Sequence, residues 1–183
     1  MNAIDRLANN YTRQLNLPWP QNIAGKQRVW FAVYPPSEER RIRAKMPHFE
    51  AITLESKHEW ALVDLTPLLP EWIGKHEYRE GIFAEPQHLE ANDELEIRAS
   101  EMVREVCARH DSTSVVALAG LSSLFDFMRV STFIDRVEDS ISGRLLVFFP
   151  GEYQRNIYRF MDARDGFNYM AVPITSTESF IKA

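Results

Sequence analysis

A single cysteine, Cys107, leaves no internal disulfide, and without a CxxC or CxxH pair the chain has no zinc cluster of familiar spacing. Glycine is scarce, seven in 183 residues, and none falls in a GxxxxGK[ST] run. A phosphate cradle needs several backbone N–H groups turned to one point and a lysine to neutralise charge, so a P-loop is excluded. The serine-hydrolase elbow GxSxG is missing too; the nearest stretch, "AGLSSLF", lacks its second glycine. Basic excess is absent: 21 Lys and Arg against 26 Asp and Glu give a net charge of −5, the wrong sign for a module built around nucleic acid. No apolar run is long enough to span a bilayer. The first residues, "MNAIDRLANNYTRQLNL", are amphipathic and include Asp5, unlike a secretory signal. These absences point to a cytoplasmic protein.

What is present is an ordinary globular composition, 45% hydrophobic and 26% charged, in a length that suits one domain over 1–183. Ile4, Leu7, Ala8, Tyr11 and Leu15 share one helical face, and Pro18 and Pro20 end that helix. Val29 to Val33 are apolar without alternation, the mark of a strand covered on both faces. Ser37 is placed to cap a helix beginning at Glu38 and Glu39, with Pro47 ending it near Met46. Short strands are expected in "EAITLE" and "WALVDL". Thr66-Pro67 then reads as a cap and first turn of a helix through Trp72 and Ile73. Lys75 to Glu90 is polar and aperiodic, a loop or short helical insert. Asp93 and Glu96 have capping-box spacing ahead of a stripe from Leu95 to Cys107. "SVVALAGL" is a further buried strand, and Val130, Phe133, Ile134, Val137 and Ile141 line a helix with Gly143 at its C′ position. Leu145 to Phe149 form another buried strand. Pro150-Gly151 reads as a type II turn, residues 152–161 as a polar helix, and "YMAVPI" as the last strand. Strands alternating with helices predict a single-domain α/β layered sandwich, its central sheet mostly parallel and flanked by helices.

The residues that could carry chemistry form no catalytic constellation. His48, His58, His76, His88 and His110 match no metal spacing, and Cys107 lies on an inner helical stripe as a packing residue. Asp135, Glu138 and Asp139 share a helix face, which a solvated surface explains as well as a cation would. Arg129, Arg144, Arg155 and Arg159 are the notable cations. Arg155 and Arg159, four apart on the expected helix, could share a sheet edge with Arg129 and meet a phosphate, a nucleic acid or an acidic partner. Ordinary surface ion pairs explain them too.

"LFDFMRVSTFIDRVEDSISGRLLVFFPGEYQRNIYRFMDARDGFNYMAV" resembles the C-terminal half of the BrxB family of bacteriophage exclusion (BREX) defence systems. Gly120, Phe125, Phe127, Met128, Arg129, Val130 and Ser131 fall on the family's glycine-strand and aromatic-Arg turn. Phe148 to Tyr153, Phe160, Asn168 and Tyr169 fall on its strand-Pro-Gly segment and the part that follows. "VWFAVYPPSEERRIRAKM" is similar to an earlier family segment. Where the family has an aromatic-Arg pair after Asn-Tyr, this chain has Met170-Ala171. The resemblance implies a non-enzymatic assembly factor that binds a PglZ-like alkaline-phosphatase-superfamily protein. It also implies company with the PglX methyltransferase and the BrxC ATPase, and no cofactor. The partner-binding candidates are Phe125, Phe127, Arg129, Tyr153 and Arg155, since aromatic and arginine side chains dominate binding hot spots. A degenerate nucleotide-binding fold and a nucleic-acid-binding subunit are the alternatives, direct nucleic-acid binding being disfavoured by the charge.

Overall fold

The computed structural model describes residues 2–85 and 93–176. Helix α1 (Ala3–Leu15) turns Ile4, Leu7, Ala8, Tyr11 and Leu15 inward, and Asn2 caps it by accepting from Asp5 N–H at 2.9 Å. After β1 (Val29–Tyr34) come α2 (Glu39–Glu55), β2 (Glu59–Asp64), α3 (Leu68–Lys75), α4 (Arg79–Ala84) and α5 (Glu94–Ala108). Then β3 (Ser114–Ala119), α6 (Val130–Val137), β4 (Arg144–Gln154), β5 (Ile157–Phe160) and β6 (Val172–Thr175) follow within the described residues.

The sheet runs β2-β3-β4-β1-β6, every neighbouring pair parallel, and β5 is added antiparallel to the far end of β4. Helices lie on both faces. On one, α1 and α2 pack Tyr11, Ile42 and Phe49 against Trp30, Ala117 and Phe148. On the other, α3, α5 and α6 pack Trp72, Val103 and Phe133 against Phe31, Val116 and Val147. The result is the expected α/β sandwich. β1 and β3 are buried along their whole length, as unbroken apolar runs require.

Several boundaries fall elsewhere than the sequence predicts. Helix α2 runs straight through Pro47 to Glu55, so "EAITLE" is helix, not strand. An interior proline costs about 3 kcal/mol. Continuing the stripe from Ile42 and Met46 buries Phe49 and Ile52, at about 1.5–3 kcal/mol each, which offsets that cost. A 3₁₀ turn at Pro36–Glu38 leads into α2, and Ser37 makes no capping bond. Asp93 stands at the N-cap of α5 but its side chain does not cap. Glu96, the expected capping-box partner, is buried and takes a 2.7 Å ion pair from Arg136 Nε. Helix α6 stops at Val137, and Gly143 is not its left-handed C′ residue: a Cβ there would lie 2.1 Å from Ser114 O, so close strand approach selects glycine.

The largest difference is at Pro150-Gly151. There is no turn: β4 continues to Gln154, and the polar run after it is the return strand β5, not a helix. Side chains alternate along β5, Tyr158 and Phe160 buried, Ile157 and Arg159 exposed. That is a period of two, and it governs the fold here.

Candidate functional site

In a doubly wound sheet, ligand sites lie beyond the carboxyl ends of strands where successive connections leave in opposite directions. Here that point lies between β1 and β4. The chain leaves β1 toward β2 on one side and leaves β4 toward β6 on the other. The β4–β5 hairpin fills this place. Its two turn residues, Arg155 and Asn156, have φ of 51° and 65°, the left-handed pair that suits a two-residue hairpin. Tyr153 OH donates to Asn156 Oδ1 at 3.0 Å and steadies the turn. Gly151 sits opposite Phe160, where a Cβ would come 2.1 Å from Arg159 O.

The hairpin's inner face is aromatic. Tyr158 meets Phe31 edge-on at 4.7 Å, Phe149 at 5.8 Å and Tyr153 at 4.6 Å, and its hydroxyl donates to Ala171 O at 2.8 Å. Burial, with the Tyr153 ring beside it, pushes the Tyr158 phenol well above its ordinary value. Phe160 packs 5.6 Å from Phe125, which joins the hairpin to the turn ahead of α6.

Between that turn, the hairpin and α5 lies an open groove of about 1000 Å³. Phe125, Phe127, Phe160 and Phe167 supply its apolar wall, and Arg129 and Arg164 its cationic part. Acids are present too, at Asp93, Asp126 and Asp165, and the paired Glu96 and Arg136 complete the charged lining. Phe125 and Phe127 are half-buried, resting on the core while still reaching the groove, and Arg129 is exposed at the α6 N-cap. Thus three of the five expected contact residues come together. Tyr153 is half-buried against Tyr158, and Arg155 is exposed at the hairpin tip; neither lines this groove. Arg155 and Arg159 do not share a helix face, because no helix is there; Arg159 instead lies 3.9 Å from Glu152 across the hairpin.

A smaller depression of about 550 Å³ marks the switch point itself, between Pro36 at the end of β1 and Glu152, Arg159 and Asp162. Two carboxylates against one paired arginine make it poor ground for a phosphate.

The acidic face of α6 is tied down. Asp135 pairs with Lys26 Nζ at 2.9 Å and accepts from Tyr169 OH at 3.1 Å. The Asp135 bond holds the Lys26 ammonium above its ordinary value, and burial followed by the Asp135 charge lifts the Tyr169 phenol. Cys107 is buried, and burial raises its thiol, as packing requires. Among the described residues, no three His, Cys, Asp or Glu side chains gather as a cation would need. No helix among them is long and apolar enough to cross a membrane.

One polar cluster has only a faint signature in the sequence. At the carboxyl ends of β1, β2 and β3, Asp64 Oδ1 accepts from Thr66 N–H at 2.9 Å and Thr66 Oγ1 at 2.6 Å. Arg43 reaches Glu39 at 3.2 Å and Asp64 at 3.6 Å and donates to Thr66 Oγ1, while Tyr34 OH donates to Glu39 at 2.5 Å. Gly120, at φ +83°, lets β3 end against this cluster; a Cβ would sit 2.6 Å from Thr66 N. Burial alone would raise the Asp64 carboxyl, but the two Thr66 bonds and the Arg43 charge outweigh it and hold it below its ordinary value. The signal was "DLTP", an Asx turn at a strand end.

Comparison with family models, with curated proteins and with solved structures gives no significant match.

Proposed function

We propose that this chain is an adaptor in a BREX-type antiphage complex, working by holding a PglZ-like partner at the groove between the hairpin and α6. One observation carries the reading: the groove gathers half-exposed Phe125 and Phe127 with Arg129 and Arg164 over a packed aromatic base. Aromatic and arginine side chains in a concave surface are what protein hot spots use. The resemblance of the last third of the chain to BrxB proteins supplies the partner. The same groove sets acids among its arginines, which suits a protein surface of mixed charge better than a nucleic-acid backbone.

The test is co-purification with the operon's PglZ-like protein, with circular dichroism as the folding control. Arg129→Glu, on an exposed cap position, is expected to keep the fold and to weaken capture by at least about tenfold, or 1.4 kcal/mol. Phage protection falls with it. Full capture by the folded variant removes the groove from consideration. Failure of the wild-type chain to hold any operon partner overturns the adaptor reading. Tight binding of Mg-ATP in calorimetry would replace it with the nucleotide-binding alternative, and salt-resistant duplex binding with the nucleic-acid one.

A further inference from the structure

The two edges of the sheet are built differently. At one, β6 is four residues long, contains Pro173, and is held by α1: Asn10 Nδ2 donates to Thr175 O at 2.7 Å and Arg6 Nε to Ser176 O at 3.0 Å. Short length, proline and a covering helix are the devices that blunt an edge. At the other, β2 reads "EWALVD", with no proline, glycine or lysine and four apolar residues at its centre. Leu65 N–H donates to Ala119 O, which fixes the phase of the strand. The odd residues of β2 bond to β3, and Trp60, Leu62 and Asp64 turn their N–H and C=O groups outward. No backbone partner meets them among the described residues. Leu62 is 45% exposed on a sheet face otherwise covered by helices, and Leu54 on α2, which packs on the same side of β2, is 54% exposed.

We propose that a second copy of this chain pairs with β2, antiparallel and edge to edge, so that two sheets continue as one across a twofold axis. An axis normal to the sheet keeps each helical layer on its own side, so even-numbered residues must meet even-numbered ones. The central register sets Ala61 opposite the partner's Ala61, Trp60 opposite the partner's Leu62, and His58 opposite the partner's Asp64. The strand suits itself in this sense. His58 lies just before the strand and Asp64 at its end, so antiparallel pairing sets the imidazole opposite the partner's carboxylate, whereas parallel in-register pairing would set carboxylate beside carboxylate; Glu59, on the other face, meets the partner's Val63. The register two residues on would face Leu62 with the partner's Leu62 but press Asp64 against the partner's Trp60. Cross-strand Trp–Leu contact covers the leucine that the monomer leaves exposed. None of this depends on the adaptor role.

The experiment is the mass of the full chain in solution over a hundredfold concentration range, by light scattering and sedimentation. The expected mass is twice the chain's 21.3 kDa. Leu62→Lys, on an exposed position, is expected to give a folded monomer. In this register Ala61 faces its own copy at a non-hydrogen-bonded position, with Cα atoms about 4.5 Å apart, within disulfide reach. Oxidised Ala61→Cys is therefore expected to run as a covalent dimer, and oxidised Leu62→Cys as a single chain. A wild-type monomer throughout, a dimer that survives in folded Leu62→Lys, or cross-linking through Leu62→Cys alone overturns the proposal. Should Leu62→Lys misfold, the Ala61→Cys cross-link decides by itself: its absence overturns the pairing. Capture of a foreign extended peptide by a monomeric chain would assign the edge to another protein instead.

Discussion

Gly151, Gly120 and Gly74 show how much a glycine's surroundings decide. At Gly151 the backbone is ordinary strand, but a Cβ would stand 2.1 Å from Arg159 O and 2.8 Å from the Phe149 ring. Gly151→Ala should destabilise the fold by about 1–3 kcal/mol, the usual cost of overpacking, by forcing β4 and β5 apart. Gly120→Ala should cost about 1–2 kcal/mol from its left-handed backbone alone, with the contact at Thr66 added. Gly74 on α3 has nothing within 4 Å, so Gly74→Ala should raise stability by about 0.5–1 kcal/mol. Chemical denaturation of the three variants checks the order; equal effects would contradict it. Asp64 makes a different prediction. Its folded pKa lies below the ordinary 3.8, so the unfolded chain binds the proton first as pH falls. Its stabilising contribution is complete above the unfolded pKa and disappears as pH drops through the folded one. Asp64→Asn keeps an acceptor for Thr66 but cannot titrate, and its stability should decline less steeply than wild type below about pH 4. Parallel acid limbs in denaturation series at several pH values would contradict this.

At the scale of elements, α2 and the hairpin show where local rules yield to packing. Pro47 leaves the Arg43 carbonyl without its helical donor and crowds it. Pro47→Ala should therefore stabilise the protein by about 1–3 kcal/mol, raising the melting temperature with unchanged circular dichroism. A fall in melting temperature would mean that proline is selected by something other than the helix. Pro47 is a strong local signal for a helix end, while Phe49 and Ile52 declare themselves only against Phe148 and the rest of the sheet. Elements buried on both faces, β1 and β3, and stripes such as Ile4 to Leu15 were legible because one periodicity leaves no rival. The hairpin was not. Its turn, Arg155-Asn156, lacks the Asn-Gly signature, and the two arginines four apart imitate a helix face. The groove was half legible: the aromatic-Arg turn pointed to Phe125, Phe127 and Arg129, but Phe160, Arg164 and Phe167 join them only through the unexpected return of β5. The Asp64 cluster was hidden for a related reason, since Arg43 reaches it from a helix and Gly120 from the turn after another strand.

On the scale of the whole molecule, the strand order places β1 between β4 and β6, so an early segment finds both of its sheet neighbours late in the chain. Helix α1 and the two cores depend on that interior strand: Trp30 belongs to one and Phe31 to the other. On a ribosome the order of arrival matters. "VWFAVY" emerges with no strand to pair with until Arg144 and the residues after it have been made. At about 5–20 residues per second, that is a wait on the order of ten seconds for six consecutive apolar residues. Nascent chains halted before Arg144 should be cut readily by protease around β1 and should recruit chaperones. Chains released past Thr175 should resist, and early resistance would mean that β1 shelters under α1 and α2 before its sheet exists.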